Sequence, residues 1–318
     1  MRLSKLKENV VDRKISTAIR SKEGRKLINP GTKISNRVLD RLKKFGLNAI
    51  YIEDENTDIE LKETLSKENR SHIISKLNNI YKNISKGNFE ESELKELIKR
   101  KIMPQINNEP VNLPVGEILS EDDLAGHSLN VCLLSITTAM KIGMTKEKIE
   151  AIAKASLLHD IGKLIRNDNK GHEEKGFEFL KTHAASVLVY TTVRYHHETI
   201  DGKGPQKQPE EYQHDMVKII SLTNYYENLL RKEKLLPHEA FERVQSLVNI
   251  KFHKDIYEKF KESSYIYPIG LPVKLSNKEE GIIIRQTSNY PLRPMVRTEK
   301  KEYNLLEELS IFIEEVSL

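Results

Sequence analysis

Tryptophan is absent from this chain and cysteine occurs once, at Cys132. A single thiol excludes a disulfide framework and any thiolate-held metal cluster. Aromatic residues make up only 6% of the chain, so a core must rest on Leu, Ile and Val. No stretch approaches the ~18 uncharged apolar residues of a membrane span. The opening segment Met1–Lys7 also lacks the apolar run of a signal peptide. These absences predict a soluble, cytoplasmic protein without a membrane partner. Charge of one sign is missing too. Lys plus Arg number 52 against 47 Asp plus Glu, a net +5 spread along the chain, with no basic arm to suggest DNA or RNA. What is plentiful is charge of both signs, 31% of residues, beside a hydrophobic share of 38% that suffices for a core. A length of 318 residues leaves room for about two domains of ordinary size.

Local patterns divide the chain into four parts. Residues 1–56 read as a small mixed α/β module. Gly24–Ile28 and Ala49–Ile52 have strand texture, Asn29-Pro30-Gly31 is a turn, and Ser35 caps a short helix that runs through Lys44. Residues 57–113 open on the capping-box pattern Thr57–Glu60 and continue as a Lys/Glu-rich helical linker, expected to be exposed. Residues 114–262 are denser and all-helical. Ser120–Asp123 is a second capping box, and Leu124, His127, Val131 and Leu134 share one apolar stripe on a helix reaching Ile142. Thr145 caps the next helix, which ends at His159-Asp160; further helical pattern covers 177–195, 215–230 and 239–260. Residues 263–318 form a β-rich module with a terminal helix, its strands expected at 271–275, 281–286 and 294–297.

Six of the ten histidines, His127, His159, His172, His183, His196 and His197, crowd between residues 127 and 197. One histidine alone is most often a hydrogen-bonded core or surface residue. A group of imidazoles mixed with carboxylates suits Zn, Mn or Fe. A carboxylate beside an imidazole at a helix end can bridge two cations. Such a pair, ~3.5–4 Å apart, activates water and stabilises the attacking and leaving oxygens at phosphorus. Lys163 follows closely, and Gly162 removes bulk between it and His159-Asp160. An ammonium there can neutralise a phosphoryl oxygen, though a plain solvated lysine is the alternative. The segment His196-His197-Glu198, followed by Asp201-Gly202-Lys203-Gly204-Pro205, suits the lip of a site.

His159-Asp160-Ile161-Gly162-Lys163 resembles the HD signature of metal-dependent phosphohydrolases. Together with His196-His197-Glu198 and Asp201–Pro205 it resembles the HD-GYP subfamily, over about residues 115–262. The resemblance implies a mainly α fold, a helical HD-domain bundle, with small β-containing modules at the N- and C-terminal ends. It implies two divalent metal ions (Fe, Mn or Zn), with His127, His159, Asp160, His172, His196 and His197 as ligands and Lys163 on the phosphate. Asp160 and Lys163 would be catalytic, and Asp201, Gly202, Lys203, Gly204 and Pro205 would line the substrate. His183 matches no ligand. Three departures stand out: Asn224 occupies the place of an aspartate ligand, the GYP loop lacks its tyrosine, and the segment after Asn224 is short. Arg231, Lys232 and Lys234 are loose substitutes for basic substrate contacts there. Asp123, one helical turn before His127, would serve a third cation or simply cap its helix.

The activity implied is phosphodiester hydrolysis of a cyclic dinucleotide, cyclic di-GMP, to the linear dinucleotide and onward to GMP. Two alternatives stay open. One is a degenerate receptor that binds metal or nucleotide without turnover, favoured by Asn224 and the altered loops. The other is a general HD nucleotide phosphohydrolase. Homodimerisation or a signalling partner would be served by the terminal modules.

Overall fold

A computed structural model describes residues 1–20, 26–54, 63–107, 109–113, 123–166, 169–287 and 290–318. The Thr57–Glu60 pattern, residues 120–122 of the second capping box and residues 24–25 of the first expected strand lie outside the described residues. At the N-terminus, β1 (Arg2–Lys5), β2 (Ile19–Arg20), β3 (Lys26–Ile28), α1 (Asn36–Lys44) and β4 (Ala49–Ile52) follow in order. The Ser35 hydroxyl accepts the Val38 N–H, as a helix cap should. β1 pairs antiparallel with β4, and β2 with β3.

The helical part comprises α2 (Lys67–Ile84), α3 (Glu91–Leu97), α4 (Leu124–Ile142), α5 (Lys146–Leu158), α6 (His172–Thr182), α7 (Val187–Tyr195), α8 (Asp215–Arg231), α9 (Pro237–Gln245) and α10 (Lys254–Ser263). α4 is its axis. Every residue from Ala125 to Ala139 is buried, wider than the single stripe expected, because α2, α5, α8 and α10 all pack on it. α2 corrects the expectation of an exposed linker. Ile73, Ile74, Leu77, Ile80, Tyr81 and Ile84 recur at helical spacing and enter the same core as α4 and α5. The helical pattern over 177–195 is shared between α6 and α7, and that over 239–260 between α9 and α10. Ala184, with φ of 56°, turns the chain between α6 and α7.

The C-terminal strands β5 (Pro272–Leu275), β6 (Glu280–Arg285), β7 (Met295–Thr298), β8 (Glu302–Asn304) and β9 (Ile313–Val316) form one antiparallel sheet in the order β8-β7-β6-β5-β9. The expected terminal helix is absent from this end. Its residues finish as β9, paired along β5, which satisfies backbone groups of both strands that a helix would leave as an open edge. Nor do the two terminal modules stay apart. Leu3, Ala49 and Tyr51 share a core with Leu271, Val273, Ile283, Val296 and Leu305. The Leu3 N–H donates to the Gly270 carbonyl at 2.8 Å. Gly270 holds a left-handed φ of 82°, and a Cβ there would sit 3.2 Å from the Tyr51 ring.

His238, near the start of α9, lies where these modules meet the bundle: its ring stacks on Tyr267, and the next residue, Glu239, pairs with Lys5 at 3.3 Å. Burial lowers the His238 pKa to about 4. Because the unfolded imidazole titrates near 6.5, the unfolded chain binds the extra proton first as pH falls. Stability from this residue is therefore intact above about pH 6.5 and lost progressively towards the folded value. Melting temperatures at pH 7 and pH 5 should differ less in His238→Phe than in the wild type; an equal difference would remove His238 from the account.

Candidate metal centre

Four separate segments deliver the site. His127 sits in the first turn of α4, whose start is fixed by Asp123: its carboxylate accepts the Gly126 N–H at 2.9 Å. A Cβ on Gly126 would fall 2.2 Å from that carboxylate, so glycine is what permits the cap. His159 closes α5 in helical conformation, and Asp160 then leaves it (φ −103°, ψ 6°) to open the 3-10 turn Ile161–Leu164. That change of direction aims two consecutive side chains into one cavity. His172 begins α6. His196 closes α7 and His197 follows it.

These side chains converge in two overlapping groups, His127, His159 and Asp160 in one, and Asp160, His172, His196 and His197 in the other. Asp160 belongs to both. Its Oδ2 lies 3.5 Å from Nε2 of His127 and 3.5 Å from Nε2 of His159. Its Oδ1 lies 3.1 Å from Nε2 of His172 and 3.5 Å from Nε2 of His196. His197 joins through Nε2, 3.2 Å from Nε2 of His172. The carboxylate thus turns one oxygen to each group.

The ring tautomers follow from the outer nitrogens. His159 Nδ1 lies 2.7 Å from the Ser156 carbonyl, and His196 Nδ1 lies 2.7 Å from the Val193 carbonyl. Carbonyls only accept, so both rings carry their proton on Nδ1 and present a bare Nε2 lone pair inward. His127 is fixed the same way, its Nδ1 donating to the carboxylate of Glu227. Acceptor therefore faces acceptor at the centre: the Nε2 atoms of His127 and His159 stand 3.1 Å apart. Asp160 Oδ1 and His196 Nε2 are buried without a hydrogen bond. Lone pairs crowded this way fit a cation and little else. Burial holds His159 well below the usual imidazole range. Burial, reinforced by His196, lowers His197 to about 2. Burial opposes ionisation of Asp160, but the surrounding His159, His172 and His196 hold its carboxyl well below the carboxylate range. Neutral imidazoles and an ionised carboxylate are the ligand forms a divalent metal requires.

The remaining expected residues divide. Lys163 is half-exposed and its ammonium contacts Asp160 Oδ2. Gly162 does more than spare bulk near it: a Cβ there would lie 1.8 Å from the His172 carbonyl oxygen, so the glycine lets the start of α6 close on the His-Asp turn. Asp123 stands outside both ligand groups, with its carboxylate engaged as the cap. Asn224 is buried on α8, and its Oδ1 accepts from Asn228 Nδ2 at 2.8 Å. In the 201–205 loop, Asp201 accepts from the Thr199 hydroxyl at 2.5 Å and from the Lys203 N–H at 3.2 Å. Gly202 supplies a φ of 66°. Gly204, next to Pro205, passes so close to Glu198 that a Cβ would lie 2.5 Å from its Oε1. The close approach of Gly204 is thus made to Glu198, whose carboxylate accepts the Gln206 and Gln208 N–H groups at 2.7 Å each. His183 lies outside both ligand groups, with its ring 4.2 Å from Phe179.

Two carboxylates escaped the sequence reading. Glu198 was seen as part of a motif but not as the anchor of its loop. Glu227, on α8, is fully buried and orients His127. Burial opposes its ionisation, yet His127, then Arg231 and Asn130, keep its carboxyl below the usual range. The four-residue spacing of Glu227 and Arg231 was the available signal. It also explains the fate of the basic trio after Asn224. Arg231 turns inward to Glu227 at 3.3 Å, and the Lys234 carbonyl is bonded by Asn48 of the N-terminal module. Burial and the Lys163 ammonium lower the Lys232 pKa.

Residues 124–229 match the sequence profile of the HD domain. A cyclic di-GMP phosphodiesterase of Pseudomonas aeruginosa, PA4108, is 27% identical over 193 residues, covering 54% of this chain and 46% of that protein. A ribonuclease Y of Petrotoga mobilis is 28% identical over 85 residues, 26% of this chain and 16% of that protein. The chain thus spans less than half the length of these curated relatives. Among solved structures, Bd1817, an HDG"Y"P protein from Bdellovibrio bacteriovorus, aligns with a TM-score of 0.48 at 18% identity, over 82% of this chain and 97% of that one. The HD domain of the Listeria monocytogenes phosphodiesterase PgpH aligns with a TM-score of 0.34 at 15% identity, over 43% of this chain and 87% of that one. Among the described residues no helix is long and apolar enough to cross a membrane. The stretch that matches the HD-domain profile thus contains His127, the His159-Asp160 turn, His172 and the pair His196-His197.

Proposed function

We propose that this domain is a metal-dependent phosphodiesterase that opens a cyclic dinucleotide, cyclic di-GMP, to the linear dinucleotide. The observation that carries the reading is Asp160, one carboxylate oxygen turned to each of two histidine groups. His127 and His159 would hold one divalent ion, and His172, His196 and His197 the other, with Fe, Mn and Zn all suited to the donors. Two ions so held supply Lewis acidity and an acidified water for displacement at phosphorus. The chain's own part is positional and electrostatic. Lys163, whose ammonium contacts Asp160 Oδ2, would bring positive charge to the phosphoryl oxygens. Glu198 braces the 201–208 loop, which would border the substrate. Cyclic di-GMP as substrate draws on the sequence likeness to PA4108, which bears that activity in its name. A substrate panel with added manganese or iron under anaerobic conditions tests the assignment. Release of the linear dinucleotide supports it; turnover confined to mononucleotides would replace it with a general HD phosphohydrolase.

A second reading is favoured by Asn224. If its amide stands in for the family carboxylate, the His127–His159 ion is held with one negative charge fewer, and a receptor that binds without turnover becomes the competitor. Asn224→Asp restores that charge at nearly equal size. It should tighten metal binding, measured by competition with a chelating dye, by about tenfold, and raise cyclic di-GMP hydrolysis with it. Tighter metal without turnover would favour the receptor, and no change in either would take Asn224 out of the site.

A further inference from the structure

We propose that Arg70, on the helix that precedes the HD domain, is a positioning residue for the metal ligand His127. A buried chain of hydrogen bonds joins them across three helices. The Arg70 guanidinium donates to Asn130 Oδ1 at 2.8 Å, from α2 to α4. Asn130 Nδ2 donates to Glu227 Oε1 at 3.1 Å, from α4 to α8. The other Glu227 oxygen, Oε2, takes the Nδ1 proton of His127. Arg70, Asn130, Glu227 and His127 are all buried. None of this was set by local sequence: Arg70 and Asn130 stand far apart in the chain, and Arg70 lies outside the segment that matches the HD profile.

The chain works through Asn130 because an amide accepts on one atom and donates on the other. With Arg70 on its oxygen, Asn130 cannot flip, so its Nδ2 is committed to Glu227. Glu227 in turn keeps Oε2 aimed at His127 Nδ1, which leaves the Nε2 lone pair facing Asp160. Loss of Arg70 would free the amide and loosen the carboxylate. α2 also packs its apolar face against α4, so a shift of α2 along that face would be felt at His127 through the same bonds. The helix before the HD domain is thereby coupled to one half of the metal centre.

This proposal rests on the metal reading of the site, and its test keeps the two separable. The tautomer of His127 is read by nitrogen NMR in metal-free protein, and manganese affinity by titration of the same samples. In Arg70→Met the His127 population with its proton on Nδ1 should fall, and affinity should drop by about tenfold, the low end for outer partners of a ligand. In a Glu227→Gln background the same substitution should add little, since the chain is already cut. Arg70→Lys keeps the charge without the planar fork and should lie between, which also covers the case that Arg70→Met does not fold. A lower melting temperature with unchanged tautomer and affinity would make Arg70 a packing residue and overturn the proposal, as would additive losses with Glu227→Gln. A wild type that binds no divalent cation would defeat the metal reading, while the metal-free tautomer would still decide the chain.

Discussion

Asp160→Ala is expected to strip the protein of its divalent ions and to lower phosphodiester hydrolysis by more than about a thousandfold, the scale reached when a member of a catalytic unit is deleted. Two losses combine. The carboxylate is the single group shared by both ligand sets, so its removal weakens each cation subsite at once. Among the described residues it is also the one carboxylate in the two ligand groups, and without it those groups keep only their five imidazoles. Elemental analysis of the purified variant beside the wild type measures the first loss, and a turnover assay measures the second. Metal binding should also contribute to folding, so the metal-loaded wild type should melt higher than the variant. Full metal occupancy in Asp160→Ala would show that this carboxylate does not bridge.

Gly162→Ala should be nearly as damaging although Gly162 is itself no ligand. The added methyl would be placed 1.8 Å from the His172 carbonyl oxygen and 2.9 Å from the Gly176 nitrogen. Both are backbone atoms in or at the start of α6, which cannot rotate away as a side chain would. Relief requires α6 to move off the His-Asp turn, and His172 moves with it. A loss of at least about 3 kcal/mol in folding stability is expected, towards the upper end of overpacking costs. The second metal should be lost before the first. Denaturant melts and metal analysis check both, and a wild-type-like Gly162→Ala would mean that the approach of α6 to this turn is looser than described.

The sequence carried the site further than the fold around it. His127, His159, Asp160, His172, His196 and His197 stood out because histidines crowd together there and because their motifs resemble the HD-GYP pattern, and the folded chain brings all six side chains together. Their convergence followed once the helices packed. What stayed hidden depends on distance along the chain. Glu227 and Arg70 act through partners on other helices, and apart from the four-residue spacing of Glu227 and Arg231 nothing local distinguishes them from surface charges in a chain so rich in both signs. α2 was misread for a related reason. Its Lys and Asn residues dominate composition, although Ile73, Leu77, Ile80 and Ile84 mark a buried face at regular spacing. The last residues, expected as a terminal helix, became β9 because β5 offered an edge to pair with. The union of the two terminal modules through Leu3 and Leu271 is tertiary and had no local sign.

The central claim is that one carboxylate joins two cation subsites. Manganese reconstitution under anaerobic conditions, followed by metal quantification and electron paramagnetic resonance on the same sample, addresses it directly. Two ions per chain with the exchange-coupled spectrum of a carboxylate-bridged pair are the result expected from the placement of Asp160. A single ion, or two ions with uncoupled spectra, would contradict it.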